Sequence, residues 1–232
     1  MVYISIPLAS TANEFLDGEI LVPNVAKGLV VFAHGSGSGR ESPRNQYVSK
    51  VINDNGFATC LVDLLTEKEQ ESDIKSQRLI SKYLGIVLNK FNIKLLSKRL
   101  VEITYWLIDN VSEVKSLPVG YFGSSTGTAA AIEASVGSDP LLYKVSAIVP
   151  RCGRPDLADV VSIKNVKAST LLIVGTKDSK AVIDLNKKVL NQLKNTKSKK
   201  LVMIPNAGHL FEEEGMIEQV GEIASQWFTD NL

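Results

Sequence analysis

The pentapeptide Gly123-Ser-Ser-Thr-Gly127 is the stretch of this 232-residue sequence best suited to covalent chemistry. It fits the pattern G-x-S-x-G, in which the central serine tops a sharp turn and the glycines on either side avoid collision with the neighbouring strand and helix. With 16 glycines in the chain, the pattern on its own is a weak signal. Its setting strengthens it. The apolar run Val119–Phe122 reads as a strand, and the small residues Thr126–Val136 read as a helix whose N-terminus points at Ser125 and favours developing negative charge.

A serine hydroxyl needs a neighbouring base. The chain offers two histidines, His34 and His209. His209 follows the last expected strand, at its carboxyl end, and in the order serine, acid, histidine that place selects it as the base. His34 opens the loop His34-Gly-Ser-Gly-Ser-Gly39 and reads as a structural ring beside the oxyanion site. The acid should come from the end of the penultimate strand, where Ile173-Val-Gly-Thr-Lys-Asp178 presents Asp178 to hold the imidazole in one tautomer. Asp63 and Asp156, each near a strand's carboxyl end, are the fallback acids. For the oxyanion, the backbone N–H of Thr126 is one donor and Ser36 in the glycine-rich loop the other. That loop contains neither G-x-x-x-x-G-K-[ST] nor G-x-G-x-x-G, so a phosphate cradle is a poor alternative. Four arginines fall near the same edge: Arg40 and Arg44 after the glycine-rich loop, Arg151 and Arg154 after the strand Lys144–Pro150. Solvation is the default for each of them, but together they raise the hypothesis of an anionic substrate group.

The elements that must position these residues alternate. Val2–Ile6, Glu19–Val22, Gly28–Ala33, Phe57–Leu65, Pro118–Phe122, Lys144–Pro150, Ser169–Val174 and Lys200–Ile204 read as strands, several as continuous apolar runs of the kind buried on both faces. Helices are expected from Ser42-Pro43 to Asn55-Gly56, over Asn92–Asn110, Thr126–Val136, Ala181–Leu193 and Met216–Phe228. Such alternation implies one α/β domain over residues 1–232, a mostly parallel sheet with helices on both faces. Residues 66–91 are long for a connection. There Ile80, Tyr83, Leu84, Val87 and Leu88 keep helical spacing around Gly85, as an extra surface helix or a small lid.

Composition narrows the function class. Lysines and arginines (26) nearly balance aspartates and glutamates (25), which gives no reason to expect a nucleic acid or an anionic membrane as partner. No secretory signal and no transmembrane run are evident, and two cysteines make no disulfide framework, so a cytoplasmic location is expected. Two histidines at non-chelating spacing and no cysteine cluster offer no metal-ligand set.

The series His34-Gly-Ser-Gly-Ser-Gly-Arg-Glu-Ser-Pro-Arg-Asn45, Gly120-Tyr-Phe-Gly-Ser-Ser-Thr-Gly127, Arg151-Cys-Gly-Arg-Pro-Asp-Leu157 and Ala207-Gly-His-Leu-Phe211 resembles dienelactone-hydrolase-like α/β hydrolases, over nearly the whole chain. The resemblance implies the α/β-hydrolase fold, with an eight-stranded, mostly parallel sheet whose second strand is antiparallel, and a hydrolase with neither metal nor organic cofactor. Dienelactone hydrolases proper carry cysteine at the nucleophile position, where this sequence has Ser125, so the expected activity is cleavage of a small carboxylic ester. Thioester or amide cleavage, acyl transfer with the same triad, and a catalytically silent binding protein are the alternatives. A small-molecule substrate is the expected partner.

Overall fold

The computed structural model describes residues 1–8, 13–80, 88–137 and 144–232, with the side chains of 77–80 left aside. Among these residues eight strands form one sheet: β1 (Val2–Pro7), β2 (Phe15–Leu21), β3 (Leu29–Ala33), β4 (Ala58–Val62), β5 (Val119–Ser124), β6 (Val145–Arg151), β7 (Ser169–Gly175) and β8 (Lys199–Ile204). Their spatial order is β1-β2-β4-β3-β5-β6-β7-β8. The second strand pairs antiparallel with both of its neighbours, and every other pairing is parallel. This is the expected α/β-hydrolase architecture.

Among the described residues seven α-helices accompany the sheet: α1 (Pro43–Asp54), α2 (Glu67–Ile80), α3 (Ile93–Asn110), α4 (Thr126–Gly137), α5 (Val160–Asn165), α6 (Lys180–Gln192) and α7 (Met216–Asn231). The central strands β3, β4, β5 and β7 are buried along their whole length, which is why they appear in sequence as unbroken apolar runs. One face packs against α3 and α4, with Leu96, Leu100, Ile103 and Leu107 of α3 in the core. The opposite face packs against α1 and α7 through Val48, Ile52, Val220, Ala224 and Phe228. Among the described residues no helix is long and apolar enough to cross a membrane.

Three elements differ from expectation, one of them the short helix α5, which is not among the expected helices. The second strand runs Phe15–Leu21 rather than Glu19–Val22. Its start is hidden in sequence because Asp17-Gly-Glu19 breaks the apolar run, yet the strand alternates: Leu16, Gly18 and Ile20 face the core. The helix between β4 and α3 begins much earlier than its expected apolar stripe. It is α2, an almost wholly polar helix, opened by a reciprocal cap in which the Glu69 N–H donates to Thr66 Oγ1 (3.3 Å) and the Thr66 N–H donates to Glu69 Oε2 (2.9 Å). Most of the expected stripe, at 81–87, lies outside the described residues.

Candidate active site

The elbow is built by crowding. Ser125 joins β5 to α4 with φ +49°, in the left-handed region that a non-glycine residue seldom adopts. A Cβ on Gly127 would collide with the Ala33 and His34 carbonyls, and one on Gly123 would lie 2.8 Å from Thr128 Cα. Gly35 approaches from β3, where an added Cβ would lie 2.9 Å from Ser125 Cβ. Only hydrogen fits at these positions, so the glycines fix where the serine stands. Backbone bonds lock it further: Ser125 N–H donates to Arg151 O (3.3 Å), and its carbonyl accepts from Thr128 N–H (3.2 Å) and Arg154 N–H (3.0 Å).

The residues expected as base and acid, His209 and Asp178, meet across two neighbouring loops. His209 Nδ1 lies 2.8 Å from Asp178 Oδ2. A carboxylate can only accept, so Nδ1 carries the proton and Nε2 is left as the acceptor a general base requires. The other Asp178 oxygen accepts from the Ser179 N–H (2.6 Å), which fixes the carboxylate. The Asp178 side chain is 3% exposed and the imidazole 40%. The two loops are stitched together by Lys177 N–H to Ala207 O (2.9 Å) and Asn206 N–H to Thr176 Oγ1 (2.8 Å). Glu213 shapes the histidine loop by accepting from the Gly208 N–H (3.0 Å), and amide donation from its own backbone and from Gly208 pulls its carboxyl below the usual range. Among the described residues the Ser125 hydroxyl has no hydrogen-bond partner, so the Asp178–His209 arm is assembled while the serine stands free.

His34 is committed elsewhere. Its Nε2 accepts from the Leu64 N–H (3.0 Å), so Nδ1 is the donor to Gly35 O (2.9 Å). Burial pushes its pKa down, which keeps the ring neutral, as a structural brace between β3 and β4. The fallback acids are also spoken for: Asp63 accepts from the Arg40 backbone N–H (2.8 Å) and pairs with its guanidinium, and Asp156 holds Arg154 in a two-point pair at 2.8 Å.

The arginines thus differ in kind. Arg40 sits on the cleft wall with Asp63, while Arg44 pairs with Glu212 (3.0 Å) and Arg154 with Asp156. Arg151 is 6% exposed and has no carboxylate partner among the described residues. Its Nη2 donates to Ser124 Oγ (3.1 Å), and the guanidinium lies 6.0 Å over the Phe211 ring. Burial lowers its pKa to about 10, so it stays cationic at neutral pH. Arg151 therefore links β5, which ends at Ser124, to the loop that carries His209 and Phe211.

Beside the elbow opens a cleft of about 470 Å³. The loop Gly35–Glu41 and Thr126 form one wall, with Leu65 and Leu96 beside them and Gln70, Asp73 and Ile74 of α2 opposite. Both oxyanion candidates, Ser36 and Thr126, line it. The helix α2 is pinned by a two-point ion pair of Arg99 with Glu69 (2.5 and 2.6 Å) and by Asp73, which accepts from the Asn89 N–H (2.8 Å) and the Lys90 N–H (2.9 Å). Sequence reasoning missed these residues, although the capping pattern Thr66-x-x-Glu69 marked the start of the helix. It also missed Cys152. That residue has φ +41°, and its Sγ lies within 4.8 Å of ligand atoms of Asp178 and His209. Cys152, Asp178 and His209 are the set that could approach a metal ion among the described residues. The direct Nδ1–Oδ2 bond, however, leaves no room for an ion between acid and base.

No protein-family model matches the chain. A solved structure described as a dienelactone hydrolase from Anabaena variabilis is 44% identical to it, covers all of this chain and 97% of its own, and superposes with a TM-score of 0.86. The chain belongs to the dienelactone hydrolase family. More distant members of the fold include Est1E from Butyrivibrio proteoclasticus, at 14% identity and a TM-score of 0.74, with 98% of each chain covered. The Mycobacterium tuberculosis protein named "Putative phosphoribosyl transferase Rv0571c" is 45% identical over 215 residues, which is 93% of this chain and 44% of that protein. This dienelactone hydrolase relative thus spans less than half the length of that curated protein. Within it, the family's fold brings the elbow, the Asp178–His209 pair and the glycine-rich loop to one edge of the sheet.

Proposed function

We propose that the protein is a serine hydrolase that cleaves a small carboxylic ester through an acyl-enzyme on Ser125. The observation that carries this reading is the 2.8 Å bond from His209 Nδ1 to Asp178 Oδ2, beside a serine held at φ +49° on a strand-to-helix elbow. Nε2 of His209 takes the proton as Ser125 Oγ attacks the acyl carbonyl. The oxyanion is received by the backbone N–H of Thr126, with Ser36 as the second donor from the facing loop. His209 returns the proton to the leaving alkoxide. Water, deprotonated by the same nitrogen, then releases the acid. The cleft beside Thr126 takes the acyl group, and α2 forms its outer wall.

Ester cleavage is preferred over transfer to a second acceptor because the imidazole is 40% exposed, which gives water direct access to the acyl-enzyme. The phosphoribosyl transferase name belongs to a protein more than twice as long, and this chain's elbow and imidazole–carboxylate pair suit acyl chemistry instead. A panel of p-nitrophenyl esters of graded acyl length, with Ser125→Ala as control, tests the proposal. Turnover that falls by about a million-fold in the variant supports it. Near-normal turnover in Ser125→Ala overturns it, and so does a wild-type protein that neither hydrolyses the panel nor takes up a fluorophosphonate probe.

A further inference from the structure

The charged groups that line the cleft are already engaged. Arg40 directs Nη1 to Asp63 and Nη2 to Glu41 (3.3 Å), and its Nε, cut off from solvent, lies 3.9 Å from a Glu19 carboxylate oxygen. The Lys90 ammonium lies 5.6 Å over the Phe91 ring, and Asp73 accepts the two amide bonds that pin α2. By formal charge the lining holds three carboxylates, Glu41, Asp63 and Asp73, against two cations, Arg40 and Lys90. A carboxylate brought in by a substrate would add to a wall already weighted towards acid, and like charges at close range repel. The wall favours an uncharged acyl group over an anionic one.

What the cleft offers instead is apolar surface. Leu65 and Leu96, 5% and 2% exposed, belong to the core and reach the cleft from it. Ile74 is different. It is the one apolar residue of α2 over 67–76, it lines the cleft opposite the glycine-rich loop, and it is 56% exposed. The helix does not need it as an anchor, because the Arg99–Glu69 pair and Asp73 already hold α2 through polar groups. Ile74 therefore leaves apolar area in water at the cleft, and such area favours an apolar ligand that covers it. We propose that the substrate's acyl group is an uncharged apolar chain, and that Ile74 is the residue that selects it. The contact is made in the bound substrate and in the transition state alike, so it governs which ester is chosen and leaves the bond-breaking step unchanged.

This inference rests on the acyl-enzyme reading above, and the experiment separates the two. Wild type, Ile74→Asn and Ile74→Leu are compared on p-nitrophenyl acetate, butyrate, pentanoate, hexanoate and hemisuccinate. In the wild type kcat/KM should rise from acetate to hexanoate by about three-fold per methylene, and the hemisuccinate should fall at least ten-fold below the pentanoate of similar length. Ile74→Asn should lower kcat/KM for the hexanoate by about ten-fold, chiefly through KM, and leave the acetate within about two-fold. Ile74→Leu, which keeps the apolar surface, should retain the wild-type dependence on chain length. Because Ile74 is half in water, the Tm of both variants should stay close to the wild-type value. An equal loss on acetate and hexanoate overturns the proposal, since it describes a structural role, and so does a hexanoate rate untouched by Ile74→Asn. A hemisuccinate cleaved better than the pentanoate overturns the uncharged acyl group. Wild-type protein that turns over none of the esters and takes up no fluorophosphonate removes the acyl-enzyme reading and this inference together. Turnover that ignores chain length removes this one alone.

Discussion

Gly175, the last residue of β7, lies so close to Ala207 that a Cβ added to it would collide with the Ala207 carbonyl oxygen. That contact decides how near the loop bearing Asp178 comes to the loop bearing His209. Gly175→Ala must push one loop away from the other, and the 2.8 Å acid–base bond is the joint most exposed to the shift. A misplacement of about 1 Å in a catalytic group costs about 100-fold in rate. The expected outcome is a loss of that order in kcat/KM, together with a lower Tm in a thermal scan. A variant with wild-type kinetics would mean that the two loops adjust independently of this contact.

Asp178→Asn is a sharper probe of the pair. An amide presented to Nδ1 can donate a hydrogen bond as well as accept one, so the imidazole can settle in the tautomer that leaves no base facing the serine. The expected fall in kcat is about 10⁴-fold, with KM little changed and the fold intact by circular dichroism. If Asp63→Asn instead caused the greater loss, the acid would be misassigned.

The places of Ser125, Asp178 and His209 in the fold were legible in the sequence to the extent that apolar strands led directly to them. Unbroken apolar runs placed the ends of β5, β7 and β8, and Ser125, Asp178 and His209 follow those ends within a few residues. What lay hidden depends on contacts distant in the chain. The helix α2 shows no apolar stripe because it is held by an ion pair to Arg99, 30 residues beyond Glu69. Glu213 sits in the acidic run Glu212–Glu214, where nothing marks the residue that will turn back to the Gly208 amide. The arginines looked alike in sequence, and they differ because Arg44 meets Glu212 across 168 positions while Arg151 meets no carboxylate among the described residues.

His34 provides a pH signature. Burial lowers its pKa in the folded protein below the ordinary value of 6.5. The unfolded chain therefore binds a proton more readily than the native one in the window below about pH 6.5. The stability that comes from keeping the ring neutral is fully present above that pH and is lost as the pH falls towards the lowered folded value. Urea unfolding of wild type should show a midpoint that drops between pH 7 and pH 5. In His34→Gln, whose amide can still accept from Leu64 N–H and donate to Gly35 O, that drop should be smaller. Equal pH dependence in the two proteins would assign the acid sensitivity to other groups.

The outer wall of the cleft can be loosened without touching the acid, base or serine. The Arg99 side chain is 5% exposed, and Glu69, at 23%, neutralises it through two short bonds. Removing one partner of a buried pair leaves an uncompensated charge and costs about 3–5 kcal/mol, which partial exposure of Glu69 reduces to about 2–3 kcal/mol here. Glu69→Ala should therefore lower stability by about that amount in urea unfolding. It also cuts the tether that holds Gln70, Asp73 and Ile74 against the cleft, while the 2.8 Å bond between His209 and Asp178 lies elsewhere. If the wall positions the acyl group, as proposed, and takes no part in proton transfer, KM should rise by more than kcat falls. A kcat loss with unchanged KM would place α2 in the chemistry itself.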